Sequence, residues 1–572
     1  MKKLFRFFKG YKKEMICAPL FKFVETITDI VIPLIVANMI DIGVKSHDVK
    51  YIVIWGGIVV AFNIIGITSA IICAKLSAKA CSGVSYEIRK GLYSHINTLS
   101  HAELDKFGTA TLNNRMTHDV TRIESALGTF LRAVMRAPFL IIGSTIMAMI
   151  IDVKLSLLFL VVAPIIFFVV FFTLKRTEPL YNKTQKDLDK VSEITRENLQ
   201  GARVIRAFNK QQSEEQRFTV ASKKLRRSAV KVVSISSLMN PLTVTIINFA
   251  IIAVMWFGGL QVNVGGLTQG QIIAFVNYLM QISAALVSLA NVIISFIKAI
   301  NCSARINEVF DTSPSVVETN HEFVQLDDNV DVPKLEFKNV SFSYSNSAKY
   351  AVNNLSFKAN KGDTIGIIGG TGSGKSSVIN LIPRFFDVTS GQILVDGINV
   401  KNYSFNQLRG KIGIVPQKAV LFKGTLKENL RWRKPDADIQ DMQKALKISQ
   451  SEEFVRELPD KYDFKIQAGG KNLSGGQRQR LTIARALVGD PEILILDDSA
   501  SALDFATDAN LRKALKEEVK ATVILVSQRA NTVKNANLII VMDNGNVVGM
   551  GPHKDLLENC DVYKKIYLSQ TK

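Results

Sequence analysis

The chain has 572 residues, too many for one core, and its 47% hydrophobic content and mean hydropathy of +0.17 come from long apolar runs in roughly the first 300 positions, so at least two domains are expected. Its 71 basic and 50 acidic residues leave a formal charge of +21. In a soluble protein that would suit nucleic acid, but here much of the excess flanks apolar segments, beginning with Lys2, Lys3, Arg6, Lys9, Lys12 and Lys13. That placement is the cytoplasmic bias of membrane proteins and argues against a nucleic-acid partner. Five scattered cysteines (Cys17, Cys73, Cys81, Cys302, Cys560) lack CxxC or metal spacing, which excludes a disulfide frame or zinc site.

The first apolar run is too long for a signal h-region and has no cleavage site that stands out, so the N-terminus is expected to stay on. Six stretches have the length of membrane spans: Ala18–Ile42, Tyr51–Ala74, Leu131–Ile151, Leu155–Leu174, Leu242–Val262 and Ile272–Ala299. Loops after the second and fourth are long and basic, which places them and both termini in the cytoplasm. They keep helical periodicity, as in Val191, Ile194, Leu199, Val204 and Ile205, so the spans are expected to run on as extended helices. Pro33 and Pro164 should kink their spans. Glu25 and Asp29 share a helical face and either line a cavity favouring cationic amphiphiles or pair with Lys22 or a neighbouring helix. Asn240, Asn248, Asn277 and Gln281 either line a cavity or bridge helices, and Phe167, Phe168, Phe171 and Phe172 should face lipid. Residues 1–311 thus read as a transmembrane domain. An acidic, loop-like stretch at 312–333 reads as a linker. At 334–572 short β-rich runs alternate with helical ones, the pattern of an α/β domain.

In that domain the apolar strand Thr364–Ile368 leads into Gly369, Gly370, Thr371, Gly372, Ser373, Gly374, Lys375, Ser376 and Ser377, which match the phosphate-binding loop GxxxxGK[ST]. Glycines let backbone N–H groups curl around phosphate oxygens, the lysine reaches the β- and γ-phosphates, and the Ser376 hydroxyl serves Mg²⁺. Alone, this loop leaves kinases, GTPases and many ATPases open.

Two further segments narrow the field. LSGGQRQR at 473–480 runs into the strand ILILDD at 493–498. Together with the phosphate loop these resemble the nucleotide-binding domain of ATP-binding-cassette (ABC) proteins, and the chain resembles an exporter half: an α-helical six-span membrane domain followed by an α/β P-loop NTPase, the ABC cassette. The resemblance implies ATP and Mg²⁺ as cofactors. It gives Ser474, Gly475, Gly476 and Gln477 to the nucleotide of an opposite subunit, and Gln417 and Asp497 to Mg²⁺ beside Ser376. Tyr344 corresponds to the aromatic that stacks on adenine, and Asp504, in Ser501-Ala502-Leu503-Asp504, to the aspartate loop at the dimer interface.

Three positions depart from the family pattern. Asp498 stands where a catalytic glutamate is usual, Gln528 where a histidine is, and Gln467-Ala468 replaces the Gly-Glu before the signature. Aspartate is one methylene shorter, so its oxygens fall roughly 1–1.5 Å short, and errors of about 1 Å can cost about 100-fold. Glutamine donates a hydrogen bond but carries no switchable charge. The resemblance therefore implies one member of a heterodimer. Its own site would hold ATP with little turnover, and its signature would complete the intact Glu/His site of a second half-transporter. Lost acidity at Gln467-Ala468 would make coupling to the membrane domain asymmetric. In such exporters short helices at the loop tips dock on cassettes, here near Thr109–Asn113 and Gln200–Arg203. Amphiphilic drugs or lipids are the expected cargo, in a bacterial plasma membrane; a nucleotide-sensing regulatory subunit and a peptide exporter half are the rival readings.

Overall fold

The computed structural model describes residues 2–318, 332–344, 349–499 and 503–570. The chain forms two compact units, one of Met1–Asn97 with Ala110–Asp311, the other of Thr98–Thr109 with Thr312–Lys572.

The first unit is helical. Among the described residues six helical segments are long and apolar enough to cross a membrane: Lys3–Val44, Val49–Thr98, Thr109–Ile151, Val153–Gln200, Gln211–Asn263 and Gln269–Leu289. At 1.5 Å per residue the 50-residue second helix is about 75 Å long, more than twice a bilayer's hydrocarbon core, as the periodic long loops led one to expect. Tyr278, Phe159 and Phe275 are fully buried between helices, whereas Phe168, Phe171 and Phe172 stay on the exposed face.

Pro33 has no N–H to give the Asp29 carbonyl. That acceptor is satisfied from the sixth span by Gln281 Nε2 at 2.9 Å, and the neighbouring Ile30 carbonyl by the Tyr278 hydroxyl at 2.9 Å. Ser144 of the third span donates to Gln281 Oε1 at 3.1 Å, so Gln281 bridges three helices. Asn277 instead donates to Ile273 of its own helix. Glu25 and Asp29 of the first span are both paired: Lys22 Nζ lies 2.7 Å from Glu25 Oε1, and Arg136 Nη2 donates to Asp29 Oδ2 at 2.9 Å. Pairing explains how these charges are carried there without a ligand.

The second unit is built on a ten-stranded sheet ordered β5-β4-β1-β2-β12-β11-β3-β10-β9-β6. The strands are β1 (Leu335–Phe342), β2 (Val352–Ala359), β3 (Thr364–Gly369), β4 (Ser390–Val395), β5 (Ile398–Asn399), β6 (Ile412–Val415), β9 (Ile493–Asp497), β10 (Thr522–Ser527), β11 (Leu538–Asp543) and β12 (Asn546–Gly551); β7 (Gly424–Thr425) and β8 (Lys465–Ile466) form a separate pair. The β5-β4-β1-β2 side is antiparallel, and β11, β3, β10, β9 and β6 run parallel. The parallel strands are almost continuously apolar, as strands covered on both faces must be.

Thr98–Thr109 joins this unit through the helix His101–Phe107. Ser100 and Glu103 form a capping box at its start, and the Ser100 hydroxyl accepts from the Val316 N–H at 3.0 Å. The His101 ring stacks on Phe385 with centroids 4.4 Å apart. The part of the first long loop that packs within this unit is Thr98–Thr109, which meets the expected Thr109–Asn113 stretch at Thr109. Of the linker, residues 319–331 lie outside the described residues.

Candidate nucleotide-binding site

The carboxyl ends of β3, β10, β9 and β6 lie side by side, because the parallel registers pair Ile368 with Ser527, Asp497 with Val526, and Leu496 with Val415. Gly369, Gln528, Asp497 and, two residues past its strand, Gln417 are thereby gathered along one edge. Open α/β sheets bind ligands at such an edge.

The phosphate-loop residues turn from β3 into the helix Lys375–Leu381. Glycine is required at both ends of that turn. Gly374 has φ +100°, and a Cβ there would stand 2.1 Å from the Ala351 carbonyl oxygen; a Cβ on Gly369 would stand 2.1 Å from that of Met542. Gly370, Gly372 and Thr371 form the turn itself. Lys375 is buried and folds its ammonium over the loop, donating to the carbonyls of Gly369 at 2.9 Å and Gly370 at 2.5 Å, with the Ser373 hydroxyl 3.3 Å away. Burial lowers the Lys375 pKa, opposed by the Asp498 and Asp497 carboxylates. A charge so placed is poorly compensated and suited to an anion.

A cleft of about 340 Å³ opens beside the loop, lined by Tyr344, Lys349, Tyr350, Ala351, Gly372–Ser377, Asn544 and Gly545. The Tyr344 hydroxyl is 3.0 Å from the Ser377 hydroxyl, and its ring packs edge-on against Phe342 and Phe386, leaving the ring 41% exposed. Tyr350, Asn544 and Gly545 went unnoticed in the sequence reading. The last two had a signal: Asn544-Gly545 is a hairpin dipeptide, with φ +46° and +84°, joining β11 to β12. The Gly545 N–H donates to the Ser373 carbonyl at 3.1 Å, which fixes the hairpin against the loop.

On the next strands, the Ser376 hydroxyl lies 3.4 Å from Asp497 Oδ2. Burial raises the pKa of Asp497, and Asp498 adds to the effect. Asp498 is likewise raised by burial, with Arg529 and Lys375 opposing. Two adjacent carboxylates next to a serine hydroxyl form an oxygen set suited to a hard divalent cation. The Gln417 and Gln528 side chains are exposed at the same edge.

Ser474 caps the helix Gly475–Leu487: the Gln477 N–H donates to its hydroxyl at 3.2 Å, and Gln477 Oε1 accepts from the Ser474 N–H at 2.9 Å. Ser474, Gly475, Gly476 and Gln477 do not line the cleft. Asp504 caps the helix Phe505–Glu518 through Thr507, whose N–H and hydroxyl hold the Asp504 carboxyl below its ordinary pKa. Ser501 and Ala502 of that loop lie outside the described residues.

Residues 15–286 match the family described as ABC transporter transmembrane region, and residues 352–501 match the family described as ABC transporter. Over 570 residues the chain is 33% identical to an uncharacterized ABC transporter ATP-binding protein of Bacillus subtilis (strain 168), covering 100% of this chain and 98% of that one. The chain belongs to the ABC transporter family. It is also 31% identical over 491 residues to the ATP-dependent lipid A-core flippase of Syntrophus aciditrophicus (strain SB), covering 85% of this chain and 80% of that protein. Its fold matches a bacterial Atm1-family ABC exporter with ATP bound, with a TM-score of 0.82 at 23% identity, covering 98% of this chain and 99% of that one. This ABC transporter is accordingly a multi-pass membrane protein, a six-span half-transporter of exporter fold whose ATP-binding cassette lies on the cytoplasmic side.

Proposed function

We propose that this chain is one half of a heterodimeric, ATP-driven exporter of amphiphilic drugs or lipids, that its own ATP site binds better than it cleaves, and that its LSGGQ segment completes the partner's active site. The observation that carries the reading is the placement of Asp498 and Gln528 on neighbouring strand ends, where the β9–β10 register pairs Asp497 with Val526. Two of the three departures from the family pattern thus fall at one edge of the sheet. Each weakens the handling of the attacking water, whereas the phosphate loop that grips the triphosphate is intact.

In this reading the loop glycines and Lys375 hold the β- and γ-phosphates, and Tyr344 meets the adenine. Ser376, Asp497 and Gln417 would hold Mg²⁺, which when bound supplies charge neutralisation for the phosphates. Ser474–Gln477 and Asp504 face the nucleotide of the opposite subunit. An amphiphilic cargo in a bacterial plasma membrane is supported by the six-span exporter fold and by the relative whose name is that of a lipid flippase.

The test is phosphate release from the assembled pair in lipid, with each phosphate-loop lysine replaced in turn so that one site reports at a time. Nearly all turnover should come from the pocket carrying the partner's glutamate and histidine. Comparable release from both pockets, or full transport by this chain alone, would sink the reading.

A further inference from the structure

Gln570 belongs to no motif, yet its side-chain amide grips the backbone on both sides of Arg529. Its Nε2 donates to the Gln528 carbonyl at 2.7 Å, and its Oε1 accepts from the Ala530 N–H at 2.8 Å. The two partners fix the orientation of the amide, because a carbonyl needs the NH₂ end and an N–H needs the oxygen. Gln570 ends the helix Asp561–Gln570. That helix is anchored from beneath by Tyr563, buried in a cluster with Ile368, Ala530, Val533, Ile539 and Val541. The same cluster therefore supports β3 immediately before the phosphate loop and the short helix Ala530–Val533 immediately after the switch position.

The exposed Gln528 side chain has its direction set by its backbone; the 528–529 peptide is held at its N–H end, where the Arg529 N–H donates to the buried Ser527 hydroxyl at 3.0 Å, and its carbonyl end is what remains to be fixed. β10 ends at Ser527, so no strand partner fixes it. We propose that Gln570 is a positioning residue for the switch loop: its two-point grip holds the 528 peptide so that the Gln528 side chain stays turned toward the nucleotide's terminal phosphate. This rests on the reading of Gln528 given above. The carboxyl-terminal helix then becomes part of the nucleotide site without touching nucleotide, and displacing it loosens recognition of the third phosphate.

The experiment uses the full chain co-assembled with its partner in lipid, with the partner's phosphate-loop lysine replaced, and measures displacement of a fluorescent ATP analogue by ATP and by ADP. The readout is the ATP-over-ADP preference of this site. Gln528→Ala should abolish it. Gln570→Ala should lower it about fivefold, the scale of one net hydrogen bond. Gln570→Glu should lower it at least as much, because a carboxylate accepts from Ala530 but repels the Gln528 carbonyl. ADP affinity and the thermal midpoint should hold in all three, and Gln528→Ala with Gln570→Ala should match Gln528→Ala alone. If Gln570→Ala keeps the wild-type preference while Gln528→Ala loses it, the positioning role is overturned. A parallel loss of ATP and ADP affinity with a lower midpoint would show a structural prop instead. If Gln528→Ala itself leaves the preference intact, the reading of Gln528 fails and the role of Gln570 fails with it.

Discussion

The backbone N–H of Asp498 donates to the Val526 carbonyl oxygen at 2.9 Å while Asp498 itself holds φ at +46°. Aspartate is among the few side chains that tolerate this left-handed conformation. The bond fixes the end of β9 to β10 two residues before Gln528, so the base position and the switch position move as one piece.

If the site is impaired as proposed, restoring its chemistry needs both residues. Asp498→Glu with Gln528→His is expected to raise phosphate release at this site by about 100-fold, the scale of a reacting group returned through about 1 Å. Either change alone should recover much less. The measurement is single-site turnover with the partner's site disabled; a regulatory subunit whose cassette never cycles would gain no transport from the double change.

Asp498 also has a cost in the nucleotide-free protein. Its pKa lies above the ordinary 3.8 because burial disfavours the charge. The folded state therefore binds its proton more tightly than the unfolded chain does. The carboxylate's penalty is absent below pH ~3.8, grows as pH rises from there through the folded value and is complete above it. Asp498→Asn keeps a residue tolerant of the same φ and removes the charge. Its thermal midpoint without nucleotide should exceed that of the parent at pH 7.5, and the gap should shrink on acidification.

Gly374→Ala should disable nucleotide binding outright. The added Cβ would stand 2.1 Å from the Ala351 carbonyl oxygen, at a φ of +100° that alanine does not adopt. Titration with a fluorescent ATP analogue should show no saturable binding. Gly370→Ala, whose Cβ meets nothing within 4 Å, should retain it.

The phosphate loop, the LSGGQ signature and the strand ILILDD were legible because their chemistry is local: glycines at fixed spacing, a lysine, and a carboxylate at the end of an apolar strand. The six spans were legible because a bilayer imposes length and composition on each one separately. The unread parts depend on partners distant in sequence. Gln570 and Gln528 are 42 positions apart, Asp29 and Arg136 are 107 apart, and no periodicity links either pair. His101 was missed because its role comes from Phe385, presented by a cassette that begins more than two hundred residues later.

His101→Ala should leave ATP binding intact and weaken the seating of the helix His101–Phe107, read as faster amide exchange across Ala102–Phe107. Burial lowers the His101 pKa, with Arg409 adding to the shift and Asp105 opposing it. A depressed pKa means the folded state prefers the neutral ring, so this contribution is complete above pH ~6.5 and fades as pH falls through that value toward the folded pKa. Relative to the intrinsic exchange rate at each pH, protection of that helix should fall between pH 7.5 and 5.5 in the parent and stay flat in His101→Phe.

Arg136→Ala would leave the Asp29 carboxylate unpaired within the span bundle, which costs about 3–5 kcal/mol for a buried pair; exposure of both groups (31% and 45%) places the expected loss at or below the lower end. Yield and melting temperature in detergent should fall, and Asp29→Leu with Arg136→Leu should recover both. If the double change stays stable yet transport of cationic amphiphiles is lost, the pair also serves cargo.

Pro33 lends its helix more than a bend. By withholding one proton it leaves the Asp29 carbonyl without its helical donor; Gln281 supplies one from the sixth span, and Tyr278 adds a second tie at the next carbonyl, that of Ile30. Those two helices are thereby stitched together at mid-length, and drawing them apart would strand the Asp29 carbonyl without a donor in an apolar setting.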